Sequence, residues 1–421
     1  WSYDDVLPYF KATQQQERGA SHFHDVTGKL NVADSRSKPK INEIFIQAAA
    51  KLGFPLNNDF NGAQQEGIGY YQVTQKNGKR CSAANAFLTP SLHRTNLTVL
   101  TNVTVNKVII EEKHAKGVEL LQDNKVKQLL AHREVILCAG AFQSPQLLML
   151  SGIGDPEELS SHNIEVKHPL TGVGKNLQDH VDVLTVNQLN YRKLLAYRPI
   201  SLLWSCKQAL KFVLNKTGVL TSAIAESGGF IKTHKEEALP DVQLHFIPAA
   251  MDDHGRNDKM LMTYGCALHV CLLRPKSRGK VQLSSASALD KPRVYLNMLA
   301  EKDDMQRMIK GVKVAREIFE QTPMKAKVVK EIFPGKATKT DDEIAEFIRE
   351  KANTIYHPVG TCKMGQDDNA VVDSELRVHG VKSLRIVDAS IMPTIVSGNT
   401  NAPTIMIAAK AADMILEKAS S

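Results

Sequence analysis

The chain lacks any hydrophobic run long enough to cross a bilayer as a helix, which takes about 20 apolar residues, although 43% of its 421 residues are apolar. It also lacks a G-x-G-x-x-G turn. A dinucleotide site that receives a pyrophosphate between strand and helix is built on such glycines, so none of that design is encoded here. Cysteine is sparse: six residues, far apart, with no C-x-x-C pair. That spacing favours buried thiols in a reduced compartment over a disulfide framework. Zinc-finger spacing, RNA-binding aromatic motifs and long basic runs are all missing, which argues against nucleic acid and against a bound metal. The net charge is +8. Its Lys and Arg residues are scattered, so solubility is the simplest reading, with an anionic membrane face or cofactor as the alternative.

The chemistry concentrates near the C-terminus. A His-Pro turn at His357 precedes two β-branched runs, Val378 to Val381 and Leu384 to Val387, and Asp388 ends the second. The loop Ser397-Gly398-Asn399-Thr400-Asn401 follows, and Pro403 opens a helix that runs to Leu416. A strand end, a loop with free N–H groups and a helix N-terminus make a site for an anion or a carbonyl oxygen. His357 and Asn399 are the side chains expected to converge beside it.

Upstream, apolar spacing predicts helices over Trp1 to Gln16, Ile41 to Leu52, Ile200 to Leu214 and Asp303 to Phe319. Another runs from Thr340 to Lys351, opened by a capping box of Thr340 and Glu343. Strands are expected at Gly67 to Thr74, Leu97 to Leu100, Val103 to Ile110, Lys116 to Leu121 and Glu134 to Cys138. The last four read as covered on both faces. Val242 to Ile247, Thr263 to Leu273 and Lys280 to Leu283 read as an antiparallel sheet. In Gly140 to Gly154, Ser144 reads as a helix cap and Pro145 as the first helical turn. His180, in Gly172-Val173-Gly174-Lys175-Asn176-Leu177-Gln178-Asp179-His180, reads as a structural histidine rather than a base. The helix from Ile200 mixes leucines with Lys207 and Lys211 and suits either a protein neighbour or an anionic bilayer.

These motifs resemble the glucose–methanol–choline (GMC) flavin oxidoreductases. The block from Asp59 to Leu88, the fifteen residues from Gly140 to Gly154, the Asn176-Leu177-Gln178-Asp179-His180 segment and Tyr356-His357-Pro358-Val359-Gly360-Thr361 all match in order. The resemblance implies a mixed α/β fold: an incomplete Rossmann-like FAD-binding domain (75–225 and 356–421) and an antiparallel-sheet substrate domain with helices (1–74 and 226–355). It places the catalytic histidine at His357 and the second active-site position, His in some members and Asn in others, at Asn399. It implies FAD contacts from Val105, Asp388, Ala389, Asn399, Thr400 and Asn401. Glu226 falls on a glutamate that holds a cationic head group in some choline-oxidising members, whereas Arg274 stands where choline oxidases have a histidine.

The activity so implied is oxidation of an alcohol to an aldehyde, hydride passing to FAD and electrons onward to a quinone-type acceptor. An oxygen-using oxidase, choline oxidation and a lyase on the same fold are the alternatives. The family's glycine-rich turn and first signature precede the position where Trp1 aligns. The expectation is therefore that Trp1 lies inside a longer natural protein, and that these 421 residues alone bind FAD poorly and do not turn over. A bacterial, cytoplasmic protein, peripheral on the inner membrane, completes the expectation.

Overall fold

The computed structural model describes the chain apart from residues 195–198, 253–259, 261 and 421, and apart from the side chains of 199–201, 204 and 418–420. In chain order the elements that position the site begin with helices α1 (Tyr3–Thr13) and α2 (Lys40–Ala50) and strand β1 (Gly67–Tyr70). Strands β2 (Thr104–Glu111), β3 (His114–Gln122), β4 (Lys125–Leu130) and β5 (Val135–Leu137) lead to helix α3 (Gly140–Leu150). Next come β6 (Val181–Leu189), α4 (Pro199–Asn215), β7 (Ser227–Ile231), β8 (Val242–Ile247) and β9 (Gly265–Leu272). The chain ends with α5 (Lys302–Glu320), β10 (Val328–Phe333), α6 (Asp341–Lys351), β11 (Leu384–Ile386) and α7 (Asn401–Ser420).

A seven-stranded sheet runs β10-β6-β9-β8-β7-β1, with Asn353–Thr354 also paired to β6. Its ladders are antiparallel, as the alternation in Val242–Ile247 foretold. Because side chains alternate across a strand, Val242, Leu244 and Phe246 share a face with Val183, Leu268 and Val270, and α2, α5 and α6 pack on it. Phe45 of α2 stacks on Phe246 at 4.6 Å. The opposite face presents Asp182, Gln243, His245 and His269, and the site is built there. Helix α6 starts at the predicted box: Thr340 Oγ1 accepts from Glu343 N, and the Glu343 carboxylate accepts from Thr340 N.

A second apolar core joins α3, β2, β3, β5, β11 and α7 to the 359–395 segment. Its strands form small separate sheets: a parallel pair, β5 with β11, and an antiparallel meander, β2-β3-β4. The meander corrects the expectation of strands covered on both faces. Every residue of β4 is exposed and β2 alternates, so one face of that sheet meets solvent.

Three further expectations are revised. Leu97 to Leu100 finds no partner strand among the described residues, and Leu97, Val99 and Leu100 are exposed. Val378 to Val381 is a turn with one isolated bridge rather than a strand. Helix α3 begins at Gly140, not at Ser144, and carries Pro145 inside it. The missing proline N–H frees the carbonyl four residues back, and Ala141 O accepts instead from Thr361 Oγ1 at 2.6 Å.

Candidate active site

His357 and Asn399, 42 residues apart, meet. Asn399 Nδ2 donates to His357 Nε2 at 3.2 Å. The other imidazole nitrogen, His357 Nδ1, lies 2.9 Å from Nδ1 of His180, and His180 Nε2 lies 3.0 Å from Val396 O. A carbonyl only accepts, so His180 Nε2 carries the proton. Burial, and then the nearby His357, push His180 down to about 3. Neutral His180 therefore offers a bare Nδ1, His357 Nδ1–H donates to it, and His357 Nε2 is left with its lone pair facing Asn399. Burial also pushes His357 down to about 4, with the Asp182 carboxylate pulling the other way. The imidazole is a free base at neutral pH.

The backbone is held as firmly. His357 N donates to Asp179 Oδ1 at 3.0 Å, and Thr354 Oγ1 donates to the other oxygen of the same carboxylate. Asp179 and His180, adjacent in sequence, thus anchor the main chain and the ring of His357 respectively. His180, read from sequence as structural, is part of the site.

Above the pair stands the polar face of the sheet. Gln243 Nε2 donates to Asn399 Oδ1 at 3.4 Å and lies 3.5 Å from Tyr71 Oη, which donates to Leu244 O at 2.5 Å. His269 Nδ1 lies 2.6 Å from Asp182 Oδ2. Burial lowers the His269 pKa and that carboxylate more than offsets it, so His269 is held above its ordinary value. Burial and the neighbouring His269 drive His245 down to about 3. Asp182 Oδ1, Gln243 Oε1 and His269 Nε2 are buried without a hydrogen-bond partner. Such atoms are costly to leave unpaired, and three on one face point to polar ligand atoms. These residues escaped the sequence reading. Their signal was polar residues at alternate positions of an otherwise apolar strand, Gln243 and His245 between Val242, Leu244 and Phe246.

Asp388 holds elements together. Its Oδ2 accepts from Gly140 N at 2.9 Å and from Ser144 Oγ at 2.5 Å, and its Oδ1 accepts from Ser390 N at 2.8 Å. The carboxylate therefore ties the end of β11 to the start of α3. Ala389 begins the short turn that follows. Thr400 O accepts the first intrahelical bond of α7, from Thr404 N. The amides of Asn401 and Ala402 precede that bond, both residues are exposed, and Pro403 has no N–H to satisfy. Helix α7 thus starts two residues before the predicted Pro403. Val105 lies on β2 opposite Leu120, half-buried. The Glu226 carboxylate accepts from Ser222 Oγ at 2.6 Å and from Asn42 Nδ2 at 3.4 Å, and burial raises its pKa. No hydrogen bond of Glu226 reaches His357 or Asn399. Arg274 donates to Pro240 O and, at 3.1 Å, to Ser397 Oγ, two residues from Asn399.

Two GMC oxidoreductase family models match, an N-terminal one over residues 1–182 and a C-terminal one over 275–408. The chain belongs to the GMC oxidoreductase family. It is 44% identical to an alcohol dehydrogenase [acceptor] of Pseudomonas putida over 99% of this chain and 76% of that protein. It is 40% identical to an oxygen-dependent choline dehydrogenase of Pectobacterium carotovorum, over 99% and 74%. Among solved structures, pyridoxine 4-oxidase from Mesorbium loti superposes with a TM-score of 0.88 at 26% identity, over 99% of this chain and 78% of that one. This GMC chain is accordingly an oxidoreductase, and FAD is its cofactor. The residues present fit such a group. The open N-terminus of α7 suits an electron-rich ring, and the half-buried His357 and the exposed Asn399 stand beside it.

Proposed function

We propose that this GMC oxidoreductase oxidises an uncharged alcohol to an aldehyde, with His357 as the base. FAD, when bound, supplies the two-electron acceptor for the hydride. The remaining work falls to side chains of this chain. His357 Nε2 takes the hydroxyl proton, and a neutral imidazole suits that task. Asn399 cannot accept a proton at neutral pH, so its amide orients the alcohol oxygen. His180 keeps the proton of His357 on Nδ1 and so keeps Nε2 available. The observation that carries this reading is the hydrogen-bonded line His180–His357–Asn399, ending at an open helix N-terminus.

The uncharged substrate follows from the surroundings. The guanidinium of Arg274, hydrogen-bonded to Ser397 two residues from Asn399, repels a cationic head group such as that of choline. Medium-chain or aromatic alcohols are favoured on that ground. A quinone-type carrier is the proposed acceptor, supported by the likeness to an acceptor-linked alcohol dehydrogenase. The test is anaerobic flavin reduction by alcohol in the FAD-loaded protein. His357→Ala should slow it by about 10²-fold or more; an unchanged rate removes His357 as the base. Peroxide formation in place of quinone-analogue reduction would reject the acceptor.

A further inference from the structure

Among the described side chains of helix α4 only Gln208 is buried, at 9% exposure, while Leu203 and Leu214 are 77% and 69% exposed. Leu202, Leu210 and Val213 lie on the same solvent side, and Leu220 and Ile224 extend the apolar surface beyond the helix. A contiguous exposed apolar face of this kind marks an interaction surface. Its surroundings are basic. Lys207 and Lys211 flank the leucines, and both are exposed. The Gln75–Arg80 hairpin abuts the end of α4: a Cβ placed on Gly78 would meet Lys216 O and the Thr221 methyl. That contact brings the exposed Lys79 and Arg80 beside Lys216. From Val183 to Ala225 there is no Asp or Glu, and there are six Lys or Arg.

We propose that α4, with the Val219–Ile224 segment and the adjoining basic hairpin, docks the protein on an anionic lipid bilayer. An apolar helix face rimmed by lysines and free of acidic residues is the pattern of a helix lying in the membrane interface. A protein groove would need acidic groups to answer the lysines, whereas an anionic leaflet supplies them everywhere. No helix among the described residues is long and apolar enough to cross the membrane, so the contact is peripheral. This surface stands on its own geometry and does not depend on the identity of the base or the substrate.

The test is co-sedimentation of the purified 421-residue chain with phosphatidylcholine vesicles, with and without phosphatidylglycerol. Binding is expected only with phosphatidylglycerol, and weaker as salt rises. Leu203→Glu with Leu210→Glu should lower binding by at least about tenfold, with thermal melting unchanged because both positions face solvent. Lys207→Glu with Lys211→Glu should lower it by about fivefold per lysine, which keeps the test valid if the leucine pair disturbs folding. Binding to neither vesicle, equal binding to both, or binding indifferent to these substitutions would overturn the proposal. So would a dimer in ultracentrifugation that the leucine pair turns into a monomer, which would assign the face to a second copy of the chain.

Discussion

The two faces of the seven-stranded sheet are made by the same strands and have opposite chemistry. On the face covered by α2, α5 and α6, β8 contributes Val242, Leu244 and Phe246 and β9 contributes Leu268, Val270 and Leu272, all closed from water. On the other face, beside the apolar Val186, Ile247 and Ala267, stand Asp182, Gln243, His245 and His269, three of them with an unpaired buried polar atom. A sheet covered on both faces by protein would be expected to read as continuous apolar runs. One that keeps polar groups indoors accepts a local cost, and such costs gather at functional sites. The helix-covered face holds the fold and the other face holds the chemistry, and substitutions on the two should separate stability from turnover.

The largest expected effect is on the helix side. Phe246→Ala removes the ring stacked on Phe45 and should destabilise by about 3–5 kcal/mol, read as a lower denaturant midpoint. Any alcohol-dependent flavin reduction that survives should keep its rate per folded molecule. A large change in that rate would mean that the faces are not independent.

Acid should strike the site side. The imidazoles of His180, His245 and His357 take up protons near 6.5 when unfolded, but not until about 3, 3 and 4 in the fold. The unfolded state then binds more protons, so stability present above about 6.5 is lost as pH falls toward 4. His269, raised beside Asp182, works in the opposite sense, since its contribution is lost as pH rises through its folded value. A melting temperature that falls between pH 6.5 and 4, and less so in His180→Asn, would bear out the buried neutral pair. A flat profile would contradict it.

Gln243→Leu sharpens the contrast. It removes the hydrogen bond to Asn399 and relieves an unpaired oxygen, so stability should change by less than about 1.5 kcal/mol. Flavin reduction should slow by about tenfold as Asn399 loses its hold, well short of the cost of a full misplacement. Equal losses in both would assign Gln243 to the fold alone. The smallest expected effect lies remote from either face. Thr340→Ala breaks the α6 capping box and should cost about 1 kcal/mol with turnover unchanged, measured by melting and stopped-flow together.

Local signals declared themselves in the residue string. The capping box of α6, the alternation of β8 and the motif blocks of the family all depend on neighbours a few positions apart, and the resemblance carried by those blocks is what named His357 and Asn399 together. Decisions that rest on distant neighbours did not show. Gly140 could open α3 because a carboxylate 248 residues away accepts its N–H, and Pro145 could sit inside that helix because Thr361 takes the orphaned carbonyl. His180 looked structural because the ring it touches lies 177 residues further on. The polarity of Gln243 and His245 was visible, but which face they served was set by the register of β8 against β9. Residue type and short-range spacing belong to the sequence. The proton position on an imidazole, and whether a leucine meets protein or solvent, are settled only when packing brings remote segments together.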